Sequence, residues 1–215
     1  MDPHGLGVIM AQSDSPYPVQ FSVDYPEEPR DRLSVLLRFI IAIPIVIVIG
    51  AVSGQSGGIQ SFGGAAGGTL FIAPLLMIVF RQKYPRWWFD WNLALSRFTN
   101  RVAAYIFMMG DAYPSTDDEQ AVHLEFSYPD AERDLSRWLP IVKWFLAIPH
   151  YIILAVLFVL LVIAVFVAWL AILITGSYPR GLFDFVVGVM RWSNRVSAYA
   201  FLLVTDVYPP FRLRA

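Results

Sequence analysis

The chain predicts an all-α integral membrane protein built as a tandem duplication. Each unit is expected to hold a short strand, two transmembrane helices and a polar-striped interfacial helix, and a small cytoplasmic β-sheet joins the units. Three observations predict this class. A segment occurs twice, two long windows carry no charge, and the composition is too apolar for one water-soluble core.

The repeat comes first, because a duplicated unit fixes architecture before any local assignment. Residues 84–107 and 178–201, laid on each other with a shift of 94, agree at 12 of 24 positions. The agreement includes Tyr-Pro-Arg at 84–86 and 178–180, and the pairs Asp90/Asp184, Arg97/Arg191, Asn100/Asn194 and Arg101/Arg195. Composition points the same way: 57% of residues are hydrophobic and 15% charged, with mean hydropathy +0.55, where soluble domains carry about 25% charged residues. A net charge of −1 gives no field for nucleic acid. The absence of cysteine removes disulfides, thiolate metal sites and cysteine nucleophiles.

Residues 1–16 are expected to be unstructured, and they lack the basic and apolar regions of a signal peptide. Met10 opens a second, more ordinary start. Two alternating stretches follow the pattern of strands ending in a Tyr-Pro turn, at 19–23 and 122–126.

The windows without Asp, Glu, Lys or Arg are 39–80 and 144–179, bounded by Arg38, Arg81, Lys143 and Arg180. At roughly 17–25 residues per crossing, each is long enough for two short crossings, which puts every charged segment and both termini on the cytoplasmic face. The first window carries its own turn in the glycine- and serine-rich residues 50–69. The second does not, and two arrangements fit it. By analogy with the first it folds back as a hairpin. Alternatively 135–149 lies flat and 151–175 crosses once. Ala-Ile-Pro at 42–44 and 147–149 marks a proline kink at the same place in each unit.

After each window, proline near the first turn opens a helix, over 86–109 and 180–204. At 3.6 residues per turn Asp184, Gly188, Arg191, Arg195 and Ala198 share a stripe, with Asn194 beside it. Its counterpart is Asp90, Ala94, Arg97 and Arg101, with Asn100 beside it. Charge in hydrocarbon costs about 2.5–3.5 kcal/mol per residue, so these helices are expected at the interface or turned inward. Three uses compete for the stripe. It is a structural network pairing Asp90 with Arg86 or Arg97 and Asp184 with Arg180 or Arg191. Or Arg86, Arg97, Arg101, Arg180, Arg191 and Arg195 contact anionic lipid or a partner. Or Asp90, Asn100, Asp184 and Asn194 line a cavity between the repeats.

Other signals carry little chemistry. His4, His123 and His150 have no metal-ligand spacing. Gly54-Gln55-Ser56-Gly57 lacks the context of a hydrolase elbow. Asp117-Asp118-Glu119 is a solvated linker and not a calcium loop. Glycines spaced by four in 50–68 fit either close helix contact or a flexible connector. Trp87, Trp88, Trp91, Trp138 and Trp144 suit the headgroup level.

Residues Ala147-Ile148-Pro149-His150, 175–188, Arg191-Trp192, Arg195-Val196, Ala198-Tyr199 and 205–211 resemble an uncharacterised family of bacterial integral membrane proteins, defined as a domain of unknown function. The resemblance covers about residues 120–212. The first half departs from it at Pro44-Ile45, where histidine is replaced, and in its glycine insert. It implies a bacterial multi-span membrane protein and brings no catalytic residues. The expected organisation is a tail 1–16, repeats 17–114 and 122–211, a linker 115–121 and an end 212–215. The function expected is non-catalytic, an accessory or scaffold subunit of a membrane complex in the bacterial cytoplasmic membrane. It would contact anionic lipid and other membrane proteins or itself, with no cofactor, metal or nucleic acid. A small channel or carrier is the alternative, and a lipid-modifying enzyme the third reading.

Overall fold

A computed structural model describes residues 17–27, 30–52, 69–116 and 118–214. Segment 1–16 with His4 and both starts, residues 53–68 with their glycines and Ser56, Asp117 and Ala215 lie outside the described residues, and so do the expectations placed on them.

The two alternating stretches, Val19–Val23 (β1) and Val122–Phe126 (β2), pair antiparallel with Phe21 opposite Leu124. Val19, Phe21, Val122, Leu124 and Phe126 point inward and are buried, while Gln20, Ser22, His123 and Glu125 are exposed. Period-two alternation across a sheet with one wet face requires this.

Each strand leads to a short helix, a break and a second helix, of 10 residues in the first half and 28 in the second. Asp31 caps α1 (Arg32–Ile41) by accepting from the Leu33 N–H at 3.1 Å. A break at Ala42 precedes α2 (Ile43–Val52), and a break at Ala147 separates α5 (Leu139–Leu146) from α6 (Ile148–Thr175). Pro44 and Pro149 cannot donate to the preceding ladder, so the old helix stops. Placed in the first turn of the next one, they lose nothing.

The second window is not a hairpin. Helix α6 runs unbroken for 28 residues, about 42 Å, and ends where Gly176, at φ +79°, donates its N–H to Ile172 O at 2.8 Å. Nothing between Tyr151 and Thr175 offers a glycine, proline or polar turn to leave the helix. The analogy with the first window had no local signal behind it. The segment Leu139–Thr175 is long and apolar enough to cross a membrane. In the first half α3 spans Thr69–Arg81.

The striped helices are α4 (Arg86–Ile106) and α7 (Arg180–Ala200), each opened by Tyr-Pro. Both stop short of the expected length. Met108 (φ 61°) and Leu203 (φ 58°) take left-handed backbone just beyond them, at a cost of roughly 1–2 kcal/mol for a side chain with a Cβ. Both residues are fully buried.

Helix α7 lies between β1 on one flank and α6 on the other. Only Arg180, Gly181 and Asp184 of it are exposed. Helix α6 runs antiparallel to α7 along its length: His150 meets Trp192 and Tyr151 meets Phe201 at one end, and the 176–179 turn joins them at the other. The outer flank of α6, including Ile152, Val156, Ile163 and Phe166, is exposed. In the same way α4 lies on β2 and meets α2. The result is three layers: the sheet, α4 with α7, and the apolar helices. Strands and helices are exchanged between the halves, since β1 packs on α7 and β2 on α4, and α1 and α5 pack on α6 and α3. Residues 17–114 and 122–211, expected as two repeats, contribute to one shared core.

At the crossing of α4 and α7, Asn100 and Asn194 exchange amide hydrogen bonds of 2.9 and 2.8 Å. Asn100→Ala leaves the Asn194 amide half-satisfied beneath the sheet and is expected to destabilise the fold by about 1–3 kcal/mol, whereas leucine at both positions costs far less. Chemical unfolding in detergent measures the difference.

Candidate functional site

Each striped helix reaches the strand of the other half. Arg97 Nε donates to Leu124 O at 2.8 Å, and Arg191 Nε donates to Phe21 O at 2.9 Å. A strand with one neighbour has an open edge, and its outward carbonyls need a donor. The two arginines supply it at equivalent points. One turn on, Arg101 Nη1 donates to Ser115 O at 2.9 Å, and Arg195 Nη1 to Arg212 O and Arg214 O at 3.4 and 3.1 Å. At the helix starts Arg86 stacks over Tyr128 at 4.7 Å and Arg180 over Tyr25 at 4.6 Å. The Tyr128 and Tyr25 hydroxyls donate to Tyr84 O and Tyr178 O, both at 2.5 Å.

Of the carboxylates singled out in the sequence, Asp90 pairs with Arg86 at 3.1 Å on an exposed face. Asp184 is exposed and makes no ion pair among the described residues. Phe89, one residue from Asp90, packs on Tyr128 after β2, and Phe183, beside Asp184, packs on Tyr25 after β1. Because β1 and β2 are antiparallel, these ends point away from each other. The structure brings Asn100 and Asn194 together and keeps the two acids apart, so the four do not line one cavity.

Two charge clusters escaped the sequence reading. Arg38 and Lys143, there only the limits of apolar windows, are fully buried. Arg38 donates to Tyr105 O and Gly110 O and pairs with Asp111 at 2.5 Å, its guanidinium 4.6 Å from the Tyr105 ring centre. Arg30 joins Asp111 at 3.1 Å. Lys143 donates to Thr205 O at 2.7 Å, pairs with Asp206 at 2.7 Å and lies 5.2 Å from the Tyr199 ring. The left-handed turns at Met108 and Leu203 bring these acids back under their helices. A signal was present: Asp-x-Tyr-Pro occurs at 111–114 and 206–209.

The halves differ around His150. Trp192 Nε1 donates to His150 Nδ1 at 3.0 Å, and the imidazole stacks on Phe211 at 4.1 Å. Since indole only donates, the neutral ring carries its proton on Nε2, which is buried without a hydrogen-bond partner among the described residues. The first half places Ile45 and Phe98 there, in an apolar cluster with Val102 and Tyr105. His123 is exposed and bonds Asp24 at 2.9 Å. Among the described residues no group of three or more histidines or acids is placed to hold a metal ion.

Residues 137–212, from just before α5 to beyond Asp206 and Tyr208, match a family described as a domain of unknown function, DUF4389. No curated protein and no solved structure matches the chain. The likeness to an uncharacterised family seen in the sequence holds at that level.

Burial alone would push the Asp111 carboxyl up, but the Arg38 hydrogen bond and the Arg30 charge outweigh it and hold the group below its ordinary 3.8. A depressed folded value means the stabilisation is complete above that pH and is lost as pH falls through the folded value. Thermal unfolding of the parent is expected to weaken steeply below about pH 4, and Asp111→Asn to flatten that acid limb while lowering stability at pH 7.

Proposed function

We propose that the chain is a non-catalytic accessory protein of a bacterial cytoplasmic membrane, with its apolar helix layer set in one leaflet and its sheet in water. The observation that carries this is the order of the layers. The exposed flank of α6 lies on the far side of α7 from β1, and α7 packs along α6 from the 176–179 turn back to His150 and Tyr151. If α6 crossed the bilayer, α7 and the sheet would cross with it. Gln20, Asp24, His123 and Glu125, all exposed, would then enter hydrocarbon, at about 2.5–3.5 kcal/mol for each charge. Lying flat, α6 offers lipid one apolar flank and protein the other. Trp87, Trp138 and Trp144 are exposed at the helix ends, where aromatic side chains favour the headgroup level.

The accessory role follows from where the polar groups are used. The asparagines and the arginines of the stripes hold the strands and the following segments, and the buried cations hold their own acids. What the molecule offers a partner in the membrane is its apolar flank.

Single cysteines at Glu132, before α5, and at Ser177, after α6, are expected to react with an impermeant reagent from the same side of sealed vesicles. Labelling from opposite sides overturns the leaflet placement. In native-lipid nanodiscs cross-linking is expected to trap a second membrane protein or a second copy on the α6 flank. A chain that remains a lone monomer there overturns the accessory role.

A further inference from the structure

We propose that the cleft along the outer edge of β1 binds a small phosphate-type oxyanion. The cleft encloses about 340 Å³ and is lined by Arg191, Arg195 and Arg212 together with Tyr17, Ser22 and Glu125. It rests on charge and geometry of its own and does not depend on the membrane reading.

Three guanidinium groups converge on this space, and none forms an ion pair among the described residues. Arg195 is 3% exposed, and its Nε has no hydrogen-bond partner among the described residues. Its charged form is disfavoured first by burial and then by the charges of Arg191 and Arg212. Backbone carbonyls satisfy part of this demand: Phe21 and Leu213 for Arg191, Arg212 and Arg214 for Arg195. Carbonyl dipoles do not neutralise the buried Arg195, and a buried charge without a counter-charge is costly, whereas Arg191 feels the Asp184 charge and Arg212 is exposed. Each guanidinium carries five N–H donors in a planar fork, of which these contacts use one or two on Arg191 and Arg195. The remaining donors suit the oxygens of a phosphate, which arginine binds in pairs. With Glu125 also in it, the lining keeps a net positive charge and disfavours large polyanions.

The same chemistry could come from free phosphate or from a lipid headgroup, and the cleft is lined in part by the outward face of the sheet, away from the helix layer. The probe is inorganic phosphate, titrated calorimetrically at low ionic strength into the full chain in detergent. A parallel arm measures binding to vesicles with and without phosphatidic acid. Arg212 is exposed and its side chain supports no packing contact described above, so Arg212→Gln tests the site without unfolding the chain, as unchanged thermal unfolding without phosphate checks. Saturable phosphate binding that Arg212→Gln weakens roughly ten- to a hundredfold, the worth of one charge-assisted hydrogen bond, supports a free oxyanion. An Arg212-dependent preference for phosphatidic acid vesicles, without binding of free phosphate, supports a headgroup. Absence of saturable binding in both arms, or binding that Arg212→Gln leaves unchanged, overturns the proposal.

Discussion

Two strands alone leave two open edges, and closing them organises everything else in this fold. A two-stranded sheet is marginal by itself, because each strand has an outer row of carbonyls and amides with no neighbour. Here each outer edge is held by an arginine from a helix of the opposite half. That choice forces α4 under β2 and α7 under β1, fixes the crossing at Asn100 and Asn194, and leaves α6 and α2 no place except outside. The arginine half of each polar stripe is therefore turned toward the sheet and the segments that follow it, while Asp90 and Asp184 at the helix starts stay exposed. Arg97, Arg101, Arg191 and Arg195 each donate to backbone carbonyls.

The interlock also explains why so many contacts recur at a constant shift. Arg97 and Arg191 meet equivalent strand carbonyls, Arg86 and Arg180 equivalent tyrosine rings, and Tyr105 and Tyr199 equivalent buried cations, because the halves share one geometry. The halves also differ at particular points, among them the Arg86–Asp90 ion pair, which has no counterpart at Asp184 among the described residues. The Arg38 cluster has a second cation in Arg30, whereas Lys143 has Asp206 to itself. His150 and Trp192 form a polar pair where Ile45 and Phe98 form an apolar one. Gly188 is another such place: a Cβ there would lie 2.8 Å from Leu213 Cβ, so the end of the chain can lie against α7 only because position 188 is glycine. The first half has Ala94 at the matching position.

Local pattern made the strands, the proline breaks and the starts of α4 and α7 legible. Alternation, a missing N–H and Tyr-Pro act within a few residues, so neighbours in sequence carry the information. The stripes were legible as stripes, but periodicity says that one face of a helix is polar and not what that face meets. Arg97 and Arg191 as sheet-edge donors needed tertiary information. Arg38 and Lys143 were read by position, as the ends of charge-free windows, and their partners lie 73 and 63 residues away at Asp111 and Asp206. The continuity of α6 was visible in its composition. Analogy with a glycine-containing counterpart outweighed that composition, and the structure follows the composition.

The amide exchange between Asn100 and Asn194 joins two identical side chains, so it is self-complementary. So are the crossed strand-edge arginines and the reciprocal tyrosine contacts. A polypeptide of half this length, one strand with its following helices, would find in a second copy of itself the partners that this chain finds further along its own backbone. Fusion of two such copies would make their association independent of concentration. It would also free one copy to change a buried histidine or acquire a third arginine while the other kept the shared centre intact.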